Sequence, residues 1–236
     1  MSARSEGTIR TGLGAELTLR PGLDRDYVDR LSTQDPRTPF GLMRFRLTYS
    51  GDLPPASREN RQLAAKWAIR SYLHPQLKDL YVQEHILSGD PSFLVFTGGP
   101  SAQPTESPND SRMVGEYQFI PLARKSLSMA CDLDITFLRP GEEGSVIAKG
   151  DLDNRLKTLF DGLRMPEDSD MRLAAGIEQP MYCLMDDDKL VTSLTVRTDR
   201  LLAPPSAAEY YSLLLIDVTL RILKVTPSNY RFVGIW

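Results

Sequence analysis

Three segments of this chain alternate apolar and polar residues with a period of two. Met43, Phe45, Leu47 and Tyr49 alternate with Arg44, Arg46 and Thr48. Leu133, Ile135 and Phe137 alternate with Asp132, Asp134 and Thr136, and Leu214, Ile216, Val218, Leu220 and Ile222 form a third series. Successive side chains of a strand point to opposite faces, so each run asks for one covered face and one wet face. Shorter strand-like runs lie around Ala15–Leu19, Phe93–Phe96 and Val114–Leu122, and in a segment holding Leu190, Leu194 and Val196. Two segments read as helices. Ser57 can cap the first, Arg58 to Leu73, which is expected to stop before His74-Pro75 because proline removes a donor and restricts its predecessor. The second opens at Asp151 and runs to about Arg164, with Leu152, Leu156, Leu159, Phe160 and Leu163 on one apolar face.

Strands interspersed with few helices predict an α+β fold, a single mixed β-sheet with helices packed on it. Residues 1–42 read as an N-terminal extension and 43–236 as one domain. Loops are inserted near 98–112, rich in Gly, Pro, Ser, Asn and Asp, and near 165–186. A chain of 236 residues needs no staple to fold. No window approaches the roughly 18 apolar residues of a membrane span, and Met1 to Arg10 lacks the apolar core of a secretory signal. A soluble, cytoplasmic protein without a membrane partner is the expectation. Cys131 and Cys183 read as two free thiols rather than a disulfide framework. His74 and His85 are the only histidines, which argues against a histidine zinc centre or a Ser-His-Asp triad. Trp67, at helical spacing with Leu63, reads as core.

Chemistry must therefore come from carboxylates, lysines or arginines. The densest constellation is Asp151-x-Asp153-Asn154 with Lys157, followed later by Asp186-Asp187-Asp188. One aspartate at a helix start is an ordinary N-cap, but two are more than a cap needs. Lys157, four residues after Asp153, could be a surface ion-pair partner worth a few tenths of a kcal/mol. The acidic triplet could be a solvated turn. Taken together, clustered carboxylates repel unless a cation compensates them. Oxygen ligands without histidine or cysteine suit Mg²⁺, with Mn²⁺ as a substitute.

At these residues the chain resembles the RusA family of Holliday junction resolvases, which are endodeoxyribonucleases. The similar motif reads Lys149-Gly150-Asp151-Leu152-Asp153-Asn154-Arg155-Leu156-Lys157-Thr158-Leu159-Phe160-Asp161-Gly162-Leu163 and resumes at Asp187-Asp188-Lys189-Leu190-Val191. The likeness is specific in these two segments and loose over about Met43–Leu223. It implies a RusA-like core and a Mg²⁺-dependent, structure-selective nuclease acting on branched DNA in recombination and repair. It further implies a homodimer and no nucleotide cofactor. Asp151, Asp153 and Asp188 match the metal-binding acids, Asp187 the acid beside the last of them, Lys157 the catalytic lysine, and Asn154 a supporting asparagine. The loop before the acidic triplet is longer than the family's connection, so a shift by one residue would bring Asp186-Asp187 to the site instead of Asp187-Asp188.

The net charge of −3 requires any nucleic-acid contact to rest on a local basic face. Candidates are Arg44 and Arg46 on the first strand, Arg58, Arg61, Lys66 and Arg70 on the first helix, Arg124-Lys125, and Lys149. Two other functions fit parts of the pattern. One is a non-catalytic nucleic-acid-binding or assembly protein that keeps the fold. The other is an Asp-nucleophile phosphatase built on Asp132-Leu133-Asp134-Ile135-Thr136, which lacks the glycine usual at the fourth position of that motif.

Overall fold

The computed structural model describes residues 7–10, 16–19, 40–56, 59–84, 87, 94–96, 110–140, 151–202, 210–224 and 229. In chain order they form β1 (Gly7–Arg10), β2 (Glu16–Leu19), β3 (Phe40–Asp52), α1 (Glu59–Gln83), β4 (Leu94–Phe96), β5 (Arg112–Val114) and β6 (Tyr117–Ala123). There follow β7 (Met129–Arg139), α2 (Asp151–Leu163), β8 (Met181–Met185), β9 (Val191–Arg200) and β10 (Tyr211–Ile222). Short 3-10 turns cover Asp168–Leu173 and Asp188–Leu190. The fold is α+β.

The three period-two runs become neighbours in one four-stranded sheet, ordered β3-β10-β7-β9. β10 runs antiparallel to β3 and β7, and β9 runs parallel to β7. The inner face carries Leu47, Tyr49, Leu133, Ile135, Phe137, Leu214, Ile216 and Val218, all buried together with Ile69, Leu73 and Leu77 of α1 and Leu156, Leu159 and Leu163 of α2. Alternation thus does what amphipathic strands require: apolar residues meet the helices and polar residues meet water.

The expected single sheet is corrected. The described strands divide among three sheets, the other two being β5-β6-β8 and β1-β2-β4. The division has a local cause. A tight turn follows β6, closed by Met129 N–H donating to the Arg124 carbonyl (3.1 Å), with Ser128 at φ 50°. The turn sends β7 into the four-stranded sheet while β6 stays behind. Met181–Met185, expected to be loop, is a strand parallel to β6. Leu63, Trp67, Val114, Phe119, Ala174, Met181 and Cys183 make a second apolar cluster there, with Trp67 in the core as its spacing implies.

The first helix also departs from expectation, continuing through Pro75 to Gln83. An internal proline costs about 3 kcal/mol. Here the series Ile69, Leu73, Leu77 and Tyr81 buries one side chain per turn against the sheet, and that burial outweighs the lost hydrogen bond. Gln76, on the turn after Pro75, pairs with the outer edge of β3. Thr48 N–H donates to Gln76 Oε1 (2.9 Å) and Gln76 Nε2 donates to the Thr48 carbonyl (2.8 Å). The amide occupies the place of a strand neighbour and blocks further pairing at that point. The proposed Ser57 cap lies outside the described residues.

The helices meet at Gly162. A Cβ built there would stand 2.7 Å from Ile69 Cγ2 and 2.8 Å from Ile69 Cβ, and a β-branched side chain has little freedom to move aside. Gly162→Ala is expected to destabilise the fold by about 1–3 kcal/mol through overpacking, despite its better helix propensity. Denaturant midpoints test this; equal midpoints would mean that the helices separate without cost.

Both cysteines are buried and free, and burial pushes each thiol up to about 12. Among the described residues, no helix is long and apolar enough to cross a membrane.

Candidate functional site

The period of α2 sorts its polar residues. Arg155, Leu156, Thr158, Leu159 and Leu163 are buried, whereas Asp153, Asn154 and Lys157 are exposed. Asp153, Lys157, Asp161 and Arg164 are spaced by four, four and three residues, so they share one stripe. No ion pair or hydrogen bond engages Asp153 or Lys157 among the described residues, so the intrahelical pair allowed by their spacing is not formed. The side chain of Asp151 and all of Lys149 lie outside the described residues.

The acidic triplet is brought to the far end of this stripe by backbone bonding. Arg164, just past α2, bridges to Met185 at the end of β8, and Met165 N–H donates to the Met185 carbonyl (2.8 Å). The chain then turns through Asp186, Asp187 and Asp188. Asp187 caps the 3-10 turn, accepting from Lys189 N–H at 3.0 Å, and this bond is the main reason its carboxyl lies below the usual range. Asp188 is exposed. Partial desolvation raises its carboxyl, and the neighbouring Asp187 and the Asp161 charge raise it further, while Arg164 opposes them. Two adjacent carboxylates thus share one site beside a guanidinium.

Asp186 is engaged elsewhere. Its Oδ2 accepts from Arg112 Nη1 (2.8 Å) and from Lys125 N–H (3.2 Å), which ties the triplet to β5 and to the turn after β6. Burial raises its carboxyl above the ordinary value despite these partners.

Among the described residues, no three carboxylate, imidazole or thiol groups converge as a metal cage. Exposed carboxylates at Asp153 and Asp188, with Asp187 beside the latter, are oxygen donors of the kind a hard cation takes, but Asp153 stands in the first turn of α2 and Asp188 follows the strand bonded to its far end.

The candidate phosphate contacts divide sharply. Arg70 is 2 % exposed and binds Asp170 (2.9 Å) and the carbonyls of Asp161 (2.6 Å) and Arg164 (3.3 Å), so it belongs to the interior and not to a phosphate-binding surface. Lys66, also largely covered, bridges Asp161 (3.1 Å) and Asp170 (3.5 Å). Arg124 is fully buried and donates to the Pro121 carbonyl (2.7 Å). Arg46 makes a two-pronged pair with Asp217 (2.9 and 3.0 Å) on the outer sheet face. Arg44 and Arg61 are exposed. The side chain of Arg58 is outside the described residues.

Asp132 and Asp134 belong to the same outer face. Asp132 accepts from Arg221 (2.7 Å) and Thr192 (2.9 Å), and Asp134 pairs with Arg197. Both carboxylates are thus held by cations in mid-strand, where an attacking nucleophile would need an open apical approach.

Two residues near the constellation were not anticipated. Arg164 could have been found by extending the helical stripe by three residues beyond Asp161. Tyr210 had no local signal, because its partners, Arg61 and Arg155, are distant in the chain. Compared with family models, curated proteins and solved structures, the chain finds no match in any of the three.

Proposed function

We propose that this protein is a RusA-like, Mg²⁺-dependent endodeoxyribonuclease that cleaves branched DNA as a homodimer, in the cytoplasm, during recombination and repair. The observation that carries the reading is the junction between α2 and the acidic turn. One helix bears exposed Asp153, Asn154 and Lys157, and the strand bonded to its end leads into Asp187 and Asp188. Engagement of Asp186 by Arg112 and Lys125 supports Asp187-Asp188 as the pair that enters the site.

In this reading, which takes its ligand set from the resemblance, Asp151, Asp153 and Asp188 would hold the metal. When bound, Mg²⁺ or Mn²⁺ supplies neutralisation of phosphate charge and a more acidic bound water. Asp187 keeps the turn rigid through its bond to Lys189 N–H. Arg164 offsets the negative charge of the paired acids. Lys157 presents a compact ammonium on the exposed stripe, where it stabilises charge developing on the scissile phosphate.

The test is cleavage of synthetic four-way, three-way, flapped, single-stranded and linear duplex DNA with Mg²⁺, with Asp151→Asn beside the wild type. Junction-selective cuts lost in the variant support the resolvase. Cuts without branch preference leave a nuclease and discard the resolvase. Binding without cutting in Mg²⁺ or Mn²⁺ moves the reading to a non-catalytic binder. Lys157→Ala should lower turnover roughly 10²–10³-fold, as loss of a transition-state charge stabiliser does, with little change in the Mg²⁺ concentration at half-maximal rate. An unchanged rate would reduce Lys157 to a surface charge.

A further inference from the structure

We propose that Arg61, laid against Tyr210, grips a backbone phosphate of the DNA strand presented to the first turn of α2; the inference rests on the nuclease reading above. Arg61 stands in the first turns of α1, with its guanidinium carbon 4.2 Å from the Tyr210 ring centre. Arg155, in the second turn of α2, approaches the same ring at 5.2 Å. Two hydrogen bonds at the Leu53 backbone lock this junction. Leu53 N–H donates to the Tyr210 carbonyl (2.8 Å), and Arg155 Nη1 donates to the Leu53 carbonyl (3.1 Å). The end of β3, the start of β10 and the start of α2 therefore meet at one tyrosine, and the α2 residue that reaches it, Arg155, follows directly on Asp153-Asn154.

The two arginines differ in kind. Arg155 is 3 % exposed and serves the interior. Arg61 is exposed, and among the described residues no hydrogen bond or ion pair engages it. Fold stability alone gives little reason for this arrangement. Cation–π contact at an exposed site is weak, a long side chain loses rotamer freedom in making it, and a second guanidinium on the same ring repels the first. An anion relieves that repulsion. Stacking uses the flat face of the guanidinium and leaves its N–H edge open, which is the edge that binds phosphate oxygens in a two-pronged manner. One open arginine cannot enclose a small anion, but it contributes well to a polyanion held at several points.

The experiment measures binding of a labelled four-way junction and a linear duplex by full-length protein in EDTA, across a salt series. The wild type is compared with Arg61→Ala, Arg61→Lys and Tyr210→Leu. Arg61→Ala should weaken both affinities roughly tenfold and reduce the slope of log K against log salt by about one. Arg61→Lys should restore the slope but only part of the affinity, and Tyr210→Leu should fall between. In Mg²⁺, Arg61→Ala should raise KM and leave kcat unchanged. Unaltered affinity and slope in Arg61→Ala overturn the inference and leave the nuclease reading intact. Binding that depends on Arg61, in a protein that never cuts, supports the contact and overturns the nuclease. No binding by the wild type overturns both.

Discussion

Asp153→Asn is expected to lower Mg²⁺-dependent cleavage of a four-way junction on the order of a thousandfold, while binding of the same DNA stays equal or tightens. The reason is the position of this carboxylate. It lies on the exposed stripe of α2, and no described residue bonds to it. Asparagine keeps its shape and one acceptor oxygen, so the helix should be unaffected. Only charge is removed, and that charge has two opposed effects in the proposed site. It helps hold a divalent cation, and it repels phosphate in the cation's absence. Losing it should therefore cost several kcal/mol of transition-state stabilisation, at about 1.4 kcal/mol for each factor of ten, without weakening the ground-state complex. Cleavage rate, DNA affinity in EDTA and thermal midpoint, measured on one preparation, separate these effects. Turnover close to wild type would sink the assignment of Asp153. A fall in midpoint comparable to that of a core substitution would recast it as structural.

Elements that solve one local problem were legible from the chain, and those that depend on distant partners were not. β3, β7 and β10 each carry an amphipathic alternation, and each strand buries the side that was expected. α2 was equally plain, since one helical period sets both its apolar face and the exposed stripe of Asp153, Asn154 and Lys157. The stop before Pro75 failed because a local rule met a stronger tertiary term, the burial of Ile69, Leu73, Leu77 and Tyr81 along one side of a continuous helix. β8 was missed for the opposite reason. Met181, Cys183, Leu184 and Met185 are all buried, so the strand shows no alternation, and its five residues follow a proline. The basic face on α1 was the largest misreading at the level of the site. Lys66 and Arg70 stand at the i,i+4 spacing of a surface patch, but their partners are Asp161 and Asp170, roughly a hundred residues away. Nothing in the spacing of basic residues distinguishes a solvated row from one turned toward acids of another element. Tyr210 is hidden in the same way, being defined by arginines from two helices.

That misread row leads to the second large effect. Arg70→Met is expected to destabilise the protein by about 3–5 kcal/mol, the usual result of removing one partner from a buried pair. For a chain of this size that is a fall of roughly 6–20 °C in thermal midpoint. The Arg70 side chain is fully buried. It holds three acceptors at once, the Asp170 carboxylate and the carbonyls of Asp161 and Arg164. Methionine fills much of the volume but leaves all three without this donor, and Asp170 keeps Lys66 at 3.5 Å and a backbone hydrogen bond at Glu167. Burial works to raise the Asp170 carboxyl, yet Arg70 and then Lys66 pull it below the ordinary value. A carboxyl depressed in the folded state stabilises at pH above its unfolded value, about 3.9, and that contribution is lost as pH falls through the folded value. The wild type should therefore lose stability below about pH 4, and Arg70→Met should show a shallower acid limb. Adding Asp170→Asn should recover part of the loss, because the stranded charge is then gone. The carbonyls that Arg70 holds sit where α2 ends and the chain bridges to Met185, next to Asp187 and Asp188. Cleavage by Arg70→Met, assayed well below its lowered midpoint, should fall with the geometry of that junction even though Arg70 is remote from any DNA. A variant as stable as the wild type would show that the helices are held by apolar packing at Gly162 and Ile69 alone, with the ion network contributing no net stability.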